Sequence, residues 1–228
     1  NDLAQEEAHR AVVLKPDWDA AAVLEAELYL RSDPQKGLAM LKKQLGEDPD
    51  NRELRLYYAR ALLNQKQFAA SREEFQHLLH GRPDSPDLAF TIALISMQMG
   101  EYERAEQELQ QALTKGGKDV STVHHYLAQL NEARQNDAAA LEHYREVKEG
   151  EYAYQARLRE VALLGKAGKL DEAREALHRA IPKNDQQRVQ LILVDAQLFR
   201  EGKQYEMCYQ VLEQGLEKFP EHAELLYS

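Results

Sequence analysis

The stretch Gly100-Glu101-Tyr102-Glu103-Arg104-Ala105, continued by Leu109 and Ala112, decides the fold of this chain. Ala105 belongs to a column of small residues that recurs along the whole sequence at steps of 33 to 35 residues. The members of this small column are Ala4, Gly37, Ser71, Ala105, Ala140, Ala173 and Cys208. A period of this size is the signature of a helical repeat array, in which each repeat packs mainly on its neighbours.

Two further columns keep step with the small column. The residues four positions later are apolar or aromatic: Ala8, Leu41, Phe75, Leu109, Tyr144, Leu177 and Leu212. This spacing lies on one face of an α-helix. Twelve positions before the small column stand Glu25, Ala59, Ala93, Ala128, Val161 and Ala196, which predict a preceding helix that crosses at close range. No segment alternates like a strand, so the sequence predicts an all-α fold of antiparallel helix pairs.

The helix boundaries follow from Pro, Gly and capping residues. The predicted helices are 3–15, 18–31, 35–46, 52–65, 68–80, 86–99, 102–115, 120–134, 138–148, 153–167, 170–181, 186–201 and 204–218, with a further start after Pro220. Expected helix stops are Pro16, Pro49, Pro83, Gly117 and Pro220, and expected N-caps are Asp17, Asp50 or Asn51, Ser85 and Asp119. Gly100, Gly168 and Gly202 are predicted to form the tight turn inside their hairpins.

The composition restricts the classes of partner. The chain has 228 residues, of which 43% are hydrophobic, too many for a disordered protein. Its 29 basic against 39 acidic residues give a net charge of −10, which disfavours nucleic-acid binding. Cys208 is the single cysteine, so an intrachain disulfide is impossible, and its column predicts a buried packing role.

No pattern in the sequence points to catalysis, a metal or a cofactor. His124 and His125, with His143, lack the acidic or thiolate partners of a metal site, and neighbouring histidines on a helix point about 100° apart. Gly116-Gly117-Lys118 lacks the spacing of a phosphate-binding loop. We therefore predict a protein that is not an enzyme, with no metal and no cofactor.

Three stretches carry a resemblance to a known family. The stretch that begins at Gly100, together with Lys66-Gln-Phe68-Ala-Ala-Ser71 and Gly168-Lys-Leu170-Asp-Glu-Ala173, resembles the second half of a tetratricopeptide repeat. The resemblance implies a right-handed superhelical solenoid, with about six full repeats and partial terminal repeats, over one domain at 1–228. Because helical pattern runs from Asn1 to Ser228, we expect a fragment of a longer array.

A finer resemblance concerns one proteobacterial subgroup. Tyr58-Ala-Arg-Ala-Leu-Leu63 and Tyr144-Arg-Glu-Val-Lys-Glu-Gly150 are similar to cell-envelope lipoproteins that act as adaptors for a periplasmic carboxyl-terminal processing protease. The resemblance implies a periplasmic, outer-membrane-attached protein whose membrane anchor lies outside this chain. A cytoplasmic location is the alternative, since composition and spacing do not decide the compartment.

In this fold type the first helix of each pair lines the concave side, so its residues that are not needed for packing face a ligand. The predicted peptide- or protein-binding groove comprises Leu56, Arg60, Asn64, Phe90, Leu94, Met97, His125 and Gln129. Further along the chain, the same surface includes Gln155, Leu158, Ala162, Gln190, Leu193, Gln197 and Arg200. The alternative is that Leu56, Leu94 and Leu158 only pack against neighbouring repeats.

The leading functional hypothesis is a non-catalytic scaffold or adaptor that binds a protein or an extended peptide. By resemblance, the partner is a periplasmic processing protease, its substrates, or both. Two alternatives are a cytoplasmic peptide-binding co-chaperone and the substrate-docking region of a larger enzyme. Self-association through the apolar end Leu225-Leu226-Tyr227 is a further expectation.

Overall fold

A computed structural model describes residues 2–15, 18–114, 116 and 119–227. Within these ranges every regular element is an α-helix, so the predicted all-α fold is confirmed. The helices are α1 (Asp2–Leu14), α2 (Asp19–Ser32), α3 (Pro34–Glu47), α4 (Arg52–Asn64), α5 (Phe68–His80), α6 (Pro86–Gln98), α7 (Tyr102–Thr114), α8 (Val120–Ala133), α9 (Asp137–Glu146), α10 (Ala153–Lys166), α11 (Leu170–His178), α12 (Asp185–Glu201), α13 (Tyr205–Lys218) and α14 (Ala223–Leu226).

The chain divides into two compact units, Asn1–Gly117 and Lys118–Ser228. In unit 1, α2–α3, α4–α5 and α6–α7 form hairpins that pack in chain order, and α1 packs on α2. In unit 2 the hairpins are α8–α9, α10–α11 and α12–α13, and α14 packs on α13. We call the first member of each hairpin a first helix and the other a second helix. The expectation of one continuous solenoid stays a prediction.

The small column lies where the two helices of a hairpin touch. Six of its seven members are buried, from Gly37 to Cys208, and the column twelve positions earlier is buried throughout. A Cβ built on Gly37 would lie 2.7 Å from the backbone nitrogen of Leu30 and 2.8 Å from the carbonyl oxygen of Ala26. The backbones therefore approach too closely for a larger residue. Ala4 is the exception and is exposed.

In five hairpins the turn between the two helices has one residue in the left-handed conformation, at the equivalent position of each repeat. These residues, with their φ angles, are Lys66 (58°), Gly100 (74°), Gln135 (60°), Gly168 (73°) and Lys203 (57°). In each case the next residue donates its N–H to the carbonyl five residues before it, as Gln67 does to Leu62 at 2.9 Å. This is the hydrogen-bond pattern of a Schellman motif. Gly202 lies in the turn as predicted, but its φ is −74° and the next residue, Lys203, takes the left-handed position.

Side-chain caps begin several first helices as predicted. Asn51, Ser85 and Asp119 each accept a hydrogen bond from the backbone N–H three residues later, at 3.0, 3.4 and 3.0 Å. Asn184 caps α12 in the same way at 2.9 Å, which the sequence analysis did not foresee. The predicted signals Pro16, Asp17 and Gly117 lie outside the described residues, as does Lys118.

Two second helices are shorter than predicted. The α9 helix ends at Glu146 rather than 148, because Val147 leaves the helical region with ψ 87°. The α11 helix ends at His178 rather than 181. Pro182 disfavours helical backbone at Ile181, so the chain is irregular before α12 begins.

A buried carboxylate joins three helices of unit 2. Glu160 on α10 is fully buried and pairs with Arg157 one turn earlier on the same helix. Its Oε1 also accepts hydrogen bonds from Arg145 of α9 at 3.3 Å and from Arg179, directly after α11, at 3.2 Å. Glu160 therefore serves as a polar link between neighbouring hairpins, since a buried charge requires such partners.

Candidate functional site

Six of the predicted groove residues lie on the first helices of unit 1. On α4, Arg60 and Asn64 are exposed, whereas Leu56 is half-buried against the cluster formed by Ala59, Phe75 and Ile92. Leu56 therefore contributes to packing, as the alternative reading anticipated, and still keeps part of its surface in solvent.

On α6, Phe90, Leu94 and Met97 are all half-buried. Their spacing of four and three residues places them on one face of the helix. The helices α4 and α6 thus carry apolar side chains that are partly exposed to solvent. Their role in binding a ligand stays a prediction.

The prediction of His125 as an open groove residue needs correction. His125 is 1% exposed, and its ring stacks on Tyr152 with 4.3 Å between ring centroids and 10° between planes. Tyr144 also contacts this ring, with 6.0 Å between centroids. Tyr152 comes from the irregular segment before α10, which periodicity does not place. Gln129 is half-buried, and its amide nitrogen lies 3.0 Å from Nε2 of His125.

Burial favours the neutral forms of His125 and of the tyrosines Tyr126 and Tyr144 beside it. Burial lowers the pKa of His125, against a weaker opposing effect of Glu132. Burial, together with a hydrogen bond to Tyr152, raises the pKa of Tyr126 to about 12. Burial likewise raises the pKa of Tyr144, whose hydroxyl donates to Glu132. This cluster has the properties of a packed interior rather than those of a catalytic centre.

The remaining histidines of this region form a pair. His124 and His143 lie on α8 and α9 with their Nδ1 atoms 3.0 Å apart. Burial lowers the pKa of His124, and a hydrogen bond between the two Nδ1 atoms requires that one ring donates a proton there and the other accepts it. Among the residues that the structure describes, no group of three or more His, Cys, Asp or Glu side chains is placed to hold a metal ion.

The first helices α10 and α12 of unit 2 enclose a cleft of about 270 Å³, which we call the α10–α12 cleft. Four predicted groove residues line it: Leu158, Ala162, Gln190 and Gln197. Leu158 and Val194 also pack on the buried cluster below, so the floor is apolar and supported from beneath. These four residues, which the sequence predicted on one surface, line the same cleft in the structure.

A second cleft lies on the other side of α12, with a volume of about 590 Å³, and we call it the α12–α14 cleft. Gln190 and Leu193 were predicted, whereas Asn184, Gln186 and His222 were not. The glutamines at positions 186 and 190 are one helical turn apart, a signal that the sequence contained. Gln155 and Arg200 are exposed but line neither cleft among the described residues.

The second helices carry clefts of their own. In unit 1 a cleft of about 370 Å³ lies over Ala89 and Ile92, between α5 and α7. In unit 2 a cleft of about 470 Å³ lies over Leu191 and Ile192, between α11 and α13. Arg104 and Glu108 of the first cleft already pair with each other at 3.0 Å.

Part of the sequence is similar to a known family of helical repeats. The sequence model of the tetratricopeptide repeat family matches residues 28–89 and 65–130. The matched stretch, residues 28–130, makes up less than half of the chain and is similar to the tetratricopeptide repeat family. The described hairpins after residue 130 keep the same buried columns and the same left-handed turn position.

A similar sequence and two similar structures extend this comparison. The TPR repeat-containing protein PA4667 of Pseudomonas aeruginosa is 34% identical over 109 residues, which are 48% of this chain and 18% of that protein. The crystal structure of YrrB, "a TPR protein with an unusual peptide-binding site", has a TM-score of 0.58 at 15% identity, covering 82% of this chain and 96% of YrrB. The pilF structure from Pseudomonas aeruginosa gives 0.56 at 16% identity, with 98% and 97% covered.

These likenesses show a helical repeat fold. Both structural matches are too distant in sequence to show more than the helical repeat architecture. The chain spans less than a fifth of the length of the Pseudomonas aeruginosa relative. None of the described helices is both long and apolar enough to cross a membrane. The tetratricopeptide fold suggests a scaffold for protein–protein interaction.

Proposed function

We propose that this chain is a non-catalytic scaffold that binds a polypeptide partner through the first-helix clefts of unit 2. The observation that carries the proposal is the α10–α12 cleft, where Leu158, Val194 and Ala162 form an apolar surface. Gln190 and Gln197 border this surface with polar groups. Ligand sites combine an apolar lining with a few polar groups in this manner.

A photo-crosslinking experiment tests this function. A photoreactive amino acid replaces the exposed Ala162 on α10, and a matched control replaces the exposed Gln210 on α13. Irradiation in cells followed by mass spectrometry should yield a polypeptide adduct from position 162 and much less from position 210. Equal yields from both positions, or no adduct from 162, would refute binding in this cleft.

The finer proposal is that the partner is a periplasmic carboxyl-terminal processing protease or a substrate delivered to it. It is supported by the resemblance of residues 58–63 and 144–150 to cell-envelope lipoproteins that act as adaptors for such a protease. In this proposal the full-length protein is periplasmic and attached to the outer membrane. Its anchor then lies outside this chain.

Reconstitution tests the finer proposal separately. A purified processing protease of this type is given a protein substrate, with and without this chain. The chain should accelerate cleavage, and the Ala162→Trp variant should accelerate it less, because the indole fills the α10–α12 cleft. Cleavage at the same rate with and without the chain would contradict the adaptor role but leave the scaffold role standing.

A further inference from the structure

Three arginines converge on the buried carboxylate of Glu160 in unit 2. Arg157 reaches it from α10, Arg145 from α9, and Arg179 from the position directly after α11. Arg145 also pairs with Glu172 of α11 at 3.2 Å, so this ion pair bridges two second helices. We call Glu160 and its three arginines the arginine cluster. Its residues are not among those that line the two first-helix clefts in the described part of the chain.

One of these arginines is sufficient to balance the charge of Glu160. Arg157 lies one turn earlier on the same helix, and only 14% of its side chain is exposed. This pair already gives the buried carboxylate a buried counter-charge. The side chains of Arg145 and Arg179 are 44% and 54% exposed, and they add two further positive charges to the same carboxylate.

The whole network of connected ion pairs carries an excess of positive charge. Besides the arginine cluster it contains Glu172 and Lys169, which pair at 3.3 Å. Three arginines and one lysine therefore face two carboxylates, which leaves two positive charges without a counter-charge in the network. The chain as a whole has a net charge of −10, so this network is a local site of opposite sign that attracts anions.

The two exposed guanidinium groups are held side by side and keep free donors. Nε of Arg145 and Nη2 of Arg179 both donate to Oε1 of Glu160, at 3.3 and 3.2 Å, so these nitrogens are at most about 6.5 Å apart. Nη1 of Arg145, and Nε and Nη1 of Arg179, have no hydrogen-bond partner among the described residues. Because the shared carboxylate already orders both side chains, a ligand meets part of its site preformed.

The chemistry of these donors selects one class of ligand. The planar N–H fork of a guanidinium group matches the oxygen spacing of a phosphate, and several such groups together are typical of phosphate recognition. A doubly charged oxyanion also matches the two uncompensated positive charges, whereas a single carboxylate would neutralise only one of them.

We propose that Arg145 and Arg179 bind a phosphate-type dianion, either as the free ion or as the phosphoryl group of a larger molecule. Glu160 and Arg157 are positioning residues, since they hold the two guanidinium groups but offer the ligand no exposed donor. The bound anion joins α9 to the end of α11 and thereby links two neighbouring hairpins. This site is independent of the polypeptide scaffold function proposed above.

Isothermal titration calorimetry on the full chain tests this site. The probes are inorganic phosphate, methyl phosphate and acetate at about pH 7.5, where a phosphate monoester is mostly a dianion. The test variant is Arg145→Gln plus Arg179→Gln. The matched control, Arg10→Gln plus Arg188→Gln, removes two exposed arginines that each pair with a carboxylate three residues earlier. Circular dichroism verifies that each variant is folded.

A measurement on the unmodified chain keeps the test independent of variant folding. The Nε–Hε resonances of Arg145 and Arg179 are followed by nuclear magnetic resonance during titration with phosphate, and the corresponding resonance of Arg188 serves as the reference. We expect the first two to shift with one common binding curve and the reference to stay in place.

Phosphate should bind at least about tenfold more weakly to the test variant than to the unmodified chain, because two charged donors are lost, and acetate should bind the unmodified chain more weakly by a similar factor. The control should bind phosphate as the unmodified chain does. Methyl phosphate that binds as well as phosphate would support a phosphoryl group of a larger molecule, and much weaker binding would support the free ion. Equal affinity of both double variants for phosphate, or arginine resonances that do not shift, would overturn the inference.

Discussion

At the scale of single residues, three hairpin turns hold a side chain in a strained, left-handed backbone conformation. Lys66, Gln135 and Lys203 occupy a left-handed conformation that Gly100 and Gly168 fill at equivalent positions. A side chain in this conformation costs about 1–2 kcal/mol, whereas glycine adopts it freely. The sequence predicted Gly202 in the last turn, and the structure gives the left-handed position to the next residue, Lys203.

Lys66→Gly should stabilise unit 1, because relief of the strained backbone exceeds the added flexibility of the unfolded chain. We expect a gain of about 0.5–1 kcal/mol in the free energy of unfolding, measured by urea denaturation. Gly100→Ala is the reciprocal control and should destabilise by about 1 kcal/mol. A loss of stability in Lys66→Gly would show that the lysine side chain contributes more than its backbone costs.

Glu160→Gln should destabilise unit 2. The substitution keeps the shape of the side chain but removes the charge that pairs with three arginines, of which Arg157 is largely buried. Removal of one partner from a buried ion pair costs about 3 kcal/mol at the lower end of measured values. The exposed Glu213→Gln on α13 is the matched control. Equal unfolding midpoints for the two variants would contradict the linking role of Glu160.

His125 should make the stability of unit 2 depend on pH. Burial lowers its pKa in the folded chain, so the unfolded state binds more protons and stability falls as the pH drops below the ordinary histidine pKa of about 6.5. Burial lowers the pKa of His124 as well, so its contribution has the same sign. The other groups that face His125 are Glu132, Tyr126, Tyr144 and Tyr152.

His125→Phe keeps the ring stacked on Tyr152 and removes the titrating nitrogens. Comparison of urea midpoints at about pH 7.5 and about pH 5.5, on either side of the histidine pKa, should show a smaller loss for this variant than for the unmodified chain. His77→Gln, at an exposed position of α5, should leave the loss unchanged. An unchanged loss in His125→Phe would assign the acid sensitivity to other groups.

At the scale of helices, the sequence predicted the features that recur in every repeat, and it missed those that occur in one repeat only. The columns fixed the existence of the hairpin helices, because small residues must meet wherever two helices cross closely. The early ends of α9 and α11 come from local backbone at Val147 and Pro182, which the period does not encode. His125 was misplaced for a similar reason, since the ring that covers it belongs to the irregular segment before α10.

In the candidate site, too, the sequence predicted the residues on regular helix faces and missed those that depend on irregular segments. Leu158, Ala162, Gln190 and Gln197 follow from helical periodicity, and the structure places them in one cleft. The wider α12–α14 cleft depends on where His222 begins a short last helix, which single-sequence patterns place poorly. Which side of a first helix opens into a cleft is set by packing between neighbouring hairpins, and no local pattern contains that information.

At the scale of the molecule, stability should be distributed rather than shared by one core. Separate buried clusters occupy the two units, such as the one around Leu41 and the one around Leu212. Leu41→Ala should cost about 2–5 kcal/mol, because it opens a cavity in a fully buried position. Hydrogen exchange should then show protection lost mainly in α2–α5, with α12 and α13 almost unaffected. Uniform loss of protection over the chain would indicate a single cooperative unit.

In the proposed function, a polypeptide partner occupies the first-helix clefts of unit 2. The most direct test of this claim is the affinity of the partner identified by crosslinking, measured for Ala162→Trp and for the exterior control Gln210→Trp. We expect the first variant to bind at least about tenfold more weakly, a loss of about 1.4 kcal/mol, and the control to bind as the unmodified chain does. Equal affinities for both variants would contradict the claim.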